Sequence, residues 1–322
     1  MRFNIDRQMV WLVEGVVAGL IAASLVGFFL AQRARSEQAK ATVANLNARI
    51  RAWWVMIGIF ALALLVGRGG ALLLFAFISF LALREYVSLI PTVMADHRTL
   101  FWSFFVFTPL QYWIIYRGWY GVASIMIPVY AFLFIPVRLV LSGETAGFLD
   151  RAARIHWGLM VCVYCLSYAP ALLILDIPGY ERQSAKLLLF LVMVAQFSDI
   201  FQYIWGKLAG RRKIAPLISP NKTWEGFLGG IACAALLGMG LWWMTPYSPW
   251  EALFMALLVG LLGFAGGLIM SSIKRDRGVK DFGSTIEGHG GILDRVDSIC
   301  FSAPVFFHLT RFIFISTHGR TP

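Results

Sequence analysis

Apolar residues in this chain neither alternate nor recur at one helical face; they come in long runs separated by short charged stretches. Trp11 to Leu30, Phe227 to Met244 and Ala252 to Met270 each extend about 18 residues or more with at most one charge, enough to cross a hydrocarbon core of roughly 30 Å. Backbone groups at that depth must be satisfied inside helices or a closed barrel, and the runs lack the alternation of barrel strands. The pattern predicts an all-α, polytopic integral membrane helical bundle of about ten segments, near 9–31, 53–66, 70–83, 100–116, 118–139, 157–177, 186–206, 227–244, 251–270 and 299–316. The pair at 53–83, broken at Arg68, Gly69 and Gly70, is short for two full spans and reads equally as a re-entrant hairpin. No small-residue cleavage site follows the first run, so it is expected to stay as a helix. The chain divides into a first helix with an amphipathic linker over 1–52, membrane helices over 53–180, and a membrane region over 181–322 with two charged loops.

Composition agrees: 59% of residues are hydrophobic and only 14% are charged, which excludes an ordinary soluble core. The formal net charge of +11 would suggest nucleic acid in a soluble protein. Here the bases fall between apolar runs, as the positive-inside rule expects, so no nucleic-acid partner is read from them. Arg33, Arg35, Lys40, Arg49 and Arg51 follow the first run, whereas only Arg2 and Arg7 precede it, which places the amino terminus outside. Arg84, Arg98, Arg138, Arg151, Arg154, Lys207 to Lys222 and Lys274 to Arg295 then all fall on the cytoplasmic side. Cys162, Cys165, Cys233 and Cys300 sit in or beside apolar runs and read as packing, not redox or metal chemistry. No internal repeat supports a transporter built from inverted halves.

The chemistry lies in two loops joined by a hairpin that turns at Thr245 to Pro249, so both loops share one face. The first, Gly206 to Gly226, carries Lys207, Arg211, Arg212, Lys213 and Lys222 against Glu225 alone and suits anions. Ser219 before Pro220 reads as a helix start, which would put Lys222 and Thr223 in the first turn beside free N–H groups, a phosphate site. Read alone, the loop is also an ordinary basic loop. Asp199 lies about 10 Å into the preceding run, where a carboxylate needs a polar cavity or a partner. The second loop, Ser271 to Ser298, balances Lys274, Arg275, Arg277, Lys280 and Arg295 with Asp276, Asp281, Glu287, Asp294 and Asp297. Topology requires no such acids, whereas a site holding phosphates and a divalent cation needs both signs; Mg²⁺ is the expected ion, alone or with a second cation. Asp294 and Asp297 could instead stabilise a helix N-terminus, and His289 could merely sit in a turn allowed by Gly288, Gly290 and Gly291.

The stretch SSIKRDRGVKDFGSTIEGHGGILDRVD, Ser271 to Asp297, closely resembles the signature of the membrane-bound phosphatidate cytidylyltransferases, or CDP-diacylglycerol synthases. Asp199 and the run from Gly206 into the next helix are similar to the same family's loop, so the likeness covers roughly the last 125 residues. The resemblance implies transfer of a cytidylyl group from CTP to phosphatidate or a related lipid phosphate, giving a CDP-lipid and pyrophosphate. It implies Asp199, Lys280, Asp281, His289 and Asp297 as catalytic residues. Lys207, Ser219, Lys222, Thr223, Ser272, Lys274, Arg275 and Arg295 would bind substrate, and Asp294 and Asp281 would hold metal. It also implies a homodimer among membrane lipids, in a bacterial inner membrane. One position departs: the family usually carries a metal-binding aspartate where this chain has Gly267. Losing that ligand would weaken metal binding greatly, which leaves an impaired or engineered inactive member that still binds CTP or lipid phosphate, or compensation by Glu287.

Overall fold

The computed structural model describes residues 7–286, 288 and 290–316, so the expectations for Glu287 and His289 lie outside the described residues. Among the described residues the chain forms ten helical rods: α1 Arg7–Arg33, α2 Glu37–Val66, α3 Arg68–Leu89, α4 97–116, α5 Tyr120–Val140, α6 Phe148–Ile174, α7 Ser184–Leu208, α8 Trp224–Gly240, α9 Pro249–Asp276 and α10 Leu293–Ile315. Eight are long and apolar enough to cross a membrane; α8 is apolar but shorter, and α4 completes the set. The polytopic membrane bundle expected from the hydrophobic runs is therefore what forms.

The pair around Arg68 is a hairpin of two long helices. The amphipathic stretch after Ser36 continues without a break into the next apolar run, giving α2 30 residues, and α3 has 22. Ser36 caps α2 by accepting the Ala39 N–H at 3.1 Å. Gly67, at φ 98°, turns the chain, and Gly70 lets α3 lie tight against α2: a Cβ there would stand 2.6 Å from the Ala63 carbonyl oxygen. A capping box, with Ser248 and Glu251 each bonding the other's backbone N–H and Pro249 in the first turn, starts α9 and closes the hairpin at the expected place.

Rods α7, α8, α9 and α10 pack in sequence, each against the next, and α10 also touches α3 and the latter half of α6. Leu166, Tyr168, Leu187, Phe190, Cys300 and Phe306 are fully buried between them. Aromatic contacts such as Phe190 on Phe306, with centroids 5.9 Å apart, fill the seam. Elsewhere large apolar side chains point outward: Phe28, Phe29, Leu62, Leu65, Leu73 and Phe77 are exposed, as a lipid-facing surface requires. The charged loops gather at one end of the four-rod seam.

One local reading changes. Residues Ser219–Thr223 form a strand, β2, paired antiparallel with β1, Lys213–Ala215, through Lys213↔Thr223 and Ala215↔Ser219. The helix starts at Trp224, not after Ser219, because Thr223 is the residue whose hydroxyl accepts an N–H at the N3 position, that of Gly226, at 3.1 Å. Pro220 is tolerated in so short and irregular a hairpin, where no central ladder bond is lost.

Candidate active site

Two acids on α10, one turn apart, organise the charged end of the seam. Asp294 is buried and fully engaged: Oδ1 accepts the Lys274 ammonium at 2.7 Å, and Oδ2 accepts the backbone N–H groups of Phe282 at 2.8 Å and Gly291 at 3.0 Å. Lys274, also buried, comes from the last turns of α9 and lies 5.3 Å from the centre of the Phe282 ring. This pair ties the loop after α9 to the start of α10 at Phe282 and Gly291. A buried charge pair of this kind is tolerated because its lone pairs and protons are met by further hydrogen bonds.

Glu85 completes the fixture. It lies on α3, is 7% exposed, and reaches into the same loop, accepting the Thr285 hydroxyl at 2.6 Å and the backbone N–H groups of Ile292 at 3.0 Å and Leu293 at 2.9 Å. The last two are free N–H groups at the start of α10, where a carboxylate also meets the positive end of the helix dipole. Reading the sequence used neighbouring Arg84 for topology and passed over Glu85, although an acid at the inner end of an apolar run was the signal to follow.

Asp297 has a different environment. Its Oδ1 accepts the Ser298 N–H at 2.8 Å, while Oδ2 faces α9 at Gly267. The Ser298 hydroxyl donates at 2.7 Å to Asp199 Oδ2, which ties α7 to α10. Asp199 opens into a cavity of about 270 Å³ lined also by Gln202, Ser219, Asn221, Lys222, Thr223 and Phe264. The polar cavity expected for that carboxylate is present. Lys222 enters it from β2, its ammonium 4.5 Å from the centre of the Phe264 ring. Burial lowers the Lys222 pKa, the charges of Asp199 and Asp297 oppose that shift, and Lys274 adds to it. These opposed charges place four groups, from four elements, within electrostatic reach of one another.

The remaining expected residues divide. Ser219 lines the cavity, Thr223 is spent as a helix cap, and Ser272 bonds back to the Leu268 carbonyl at 3.0 Å. Arg295 is half-buried, with a buried Nε that has no hydrogen-bond partner among the described residues. Arg275 is exposed and clasps the two loops together, donating to the carbonyls of Ile218 at 3.2 Å and Val279 at 2.8 Å. Lys207, Lys280 and Asp281 are exposed outside the cavity lining, and Lys207 sits over the Tyr203 ring at 5.9 Å. A larger void, about 650 Å³, lies where α1, α2 and Gly288 meet and is lined by small apolar residues together with Asn45, Asn47, Lys40 and Arg51. The four-charge cluster is absent from it.

Among the described residues no group of three or more Asp, Glu, His or Cys side chains is disposed to hold a metal ion. Asp294 shares its oxygens among three donors, and Asp281 lies on the surface. Asp199 and Asp297 face a lysine. This arrangement does not fit a divalent ion caged by Asp294.

A cleft where two lysines stand near two carboxylates, beside a loop anchored by the buried Lys274–Asp294 pair, marks the charged end of a polytopic membrane protein as its candidate site. Comparison with known proteins makes this specific: residues 47–313 match the model of the Cytidylyltransferase family, and the chain belongs to that family. It is 40% identical over 294 residues to the Uncharacterized protein YnbB of Escherichia coli strain K12, covering 91% of this chain and 95% of that protein. It is also 33% identical over 193 residues to the phosphatidate cytidylyltransferase of Staphylococcus aureus strain COL, covering 58% of this chain and 74% of that enzyme. With the enzyme of the same name from Staphylococcus epidermidis the identity is 42% over 130 residues, half of that relative's length.

Proposed function

We propose that this chain transfers the cytidylyl group of CTP to the phosphate of a membrane lipid, with phosphatidate as the acceptor, at the cytoplasmic face of a bacterial inner membrane. The observation that carries the proposal is the convergence of Lys222 and Asp199 in one cleft, with Asp297 near them on α10, the helix whose start holds the loop that Lys274, Asp294 and Glu85 anchor. A phosphate oxygen of the lipid attacks the α-phosphorus of CTP, a new P–O bond forms, and the bond to the β-phosphate breaks as pyrophosphate leaves. No covalent protein intermediate is required, so the protein's task is positioning and charge neutralisation. In this reading Lys222 meets phosphate oxygens from inside the cleft, and Arg295, outside its lining, adds positive charge nearby. The charges of Asp199 and Asp297 favour the charged ammonium against its burial. Mg²⁺ carried by CTP would add charge neutralisation on the nucleotide side. The position at the end of the seam lets acyl chains remain in lipid while the nucleotide enters from water.

The test is incubation of purified protein in mixed micelles with labelled CTP and phosphatidate. Formation of CDP-diacylglycerol and pyrophosphate in equal amounts is expected. Saturable CTP binding with no CTP consumed on phosphatidate would favour the second reading, a nucleotide- or lipid-binding family member, which Gly267 recommends.

A further inference from the structure

Gly267 occupies the middle of α9 directly opposite the cluster. A Cβ built on it would stand 2.9 Å from Lys222 Nζ and 3.9 Å from Asp297 Oδ2, so the space its side chain would take is the space the ammonium fills. We propose that the Lys222 ammonium is the resident cation of this cleft, near Asp199 and Asp297 in place of a protein-held divalent ion, in a space that Gly267 leaves open. This deepens the phosphate-transfer reading: the incoming phosphates meet a built-in ammonium.

Several features hold the lysine there. The strand pairings Ala215↔Ser219 before it and Lys213↔Thr223 after it, with the Thr223 cap, fix the backbone on either side of it. The ring of Phe264 lies under the ammonium, and Phe227 packs on that ring with centroids 4.4 Å apart. Asp199 and Asp297 are both bridged by Ser298, which keeps the two carboxylates in register. Mg²⁺ demands near-octahedral oxygen ligands at about 2.0–2.1 Å. At this point it would meet a positive charge where one ligand is needed, and the repulsion between them is strong in a partly dry cleft.

The measurement is Mn²⁺ binding to the purified full chain in nanodiscs, without nucleotide, followed by electron paramagnetic resonance. The unmodified protein is expected to show no saturable site. Lys222→Met removes the positive charge near both carboxylates and is expected to gain one site per chain, tighter than any Mn²⁺ binding of the parent by roughly tenfold or more. Adding Asp297→Asn should remove it. Lys222→Arg, which keeps the charge, should gain none. A saturable site in the unmodified chain that Asp297→Asn abolishes overturns the proposal, and so does a folded Lys222→Met protein that gains no site. Lys222→Gln is the second probe of the same gain should the methionine variant not fold, and the parent measurement stands without either. The readout needs neither CTP nor lipid, so it is independent of the product assay: absence of CDP-lipid would count against the transferase reading, not against the resident ammonium.

Discussion

Asp294 and Asp297 are a turn apart on one helix, preceded by the same loop, and differ in what they are left free to do. Asp294 has three donors, one of them a buried ammonium, and its removal would strand Lys274 and two amides. Asp297 keeps one oxygen on its own neighbour's N–H and turns the other to the cleft. The first acid stabilises a structure that the second uses. A carboxylate already saturated by the protein has little to offer a ligand, whereas one held through a single oxygen by the neighbouring Ser298 is oriented and still available.

Breaking this contrast should give its largest effect at Asp294. Asp294→Ala leaves a buried, unpaired lysine, a loss of about 3–5 kcal/mol. Thermal unfolding in detergent should show it as a marked fall in midpoint, and loss of activity should follow loss of fold. An unfolding midpoint equal to that of the parent would show that the Lys274 pair does not anchor the loop. Glu85→Gln is next: it keeps a carbonyl acceptor but loses the charge facing two amides and Thr285, for about 1–2 kcal/mol. Hydrogen exchange should quicken at Ile292 and Leu293 before it changes in α1.

These anchors show what was legible in the sequence. The ten rods followed from run lengths, because a membrane span is a one-dimensional property. The acidic and basic residues of the second loop marked the site, and Asp199 announced a polar cavity by its cost at depth. The division of labour between Asp294 and Asp297 was not legible, since it depends on which oxygens meet Lys274 from α9 and Glu85 from α3. Glu85 is about 200 residues from the loop it holds, and no local spacing links them. Ser219-Pro220 misled because a capping signal competes with strand pairing: the β1 partner lies outside the window in which the cap is read, and Thr223 supplies an equally good hydroxyl four residues on.

The cleft side of the comparison is sharpened by substitutions that spare the fold. Asp297→Asn is isosteric and keeps the Ser298 contact, so stability should change by less than about 1 kcal/mol. The initial rate of CDP-lipid formation should nevertheless fall on the order of a hundredfold, because an oriented charge in the reaction cleft is lost. Lys222 gives a pH test. Burial lowers its pKa below the ordinary 10.5, so rising pH removes its proton earlier than from a free lysine. Between the lowered value and 10.5 the folded state holds fewer protons than the unfolded one, so stability rises with pH there while phosphate binding falls. Lys222→Arg should move the alkaline loss of CTP binding to higher pH; an unmoved limb would assign it to another group.

The smallest effect belongs to a base that the sequence places in the loop and the structure places outside the cleft. Lys207 is exposed at the end of α7, rests over the Tyr203 ring, and is absent from the cavity lining. Its charge reaches the cleft only through solvent, where roughly 8 Å of physiological salt solution screens it. Lys207→Ala should therefore shift stability by no more than about 0.5 kcal/mol. Its effect on CTP affinity should stay within about twofold and vanish as salt is raised, whereas the loss caused by Asp297→Asn should persist at every salt concentration. A Lys207→Ala protein as slow as Asp297→Asn, and insensitive to salt, would show that the first loop closes over the nucleotide and that the boundary of the site lies beyond the hairpin.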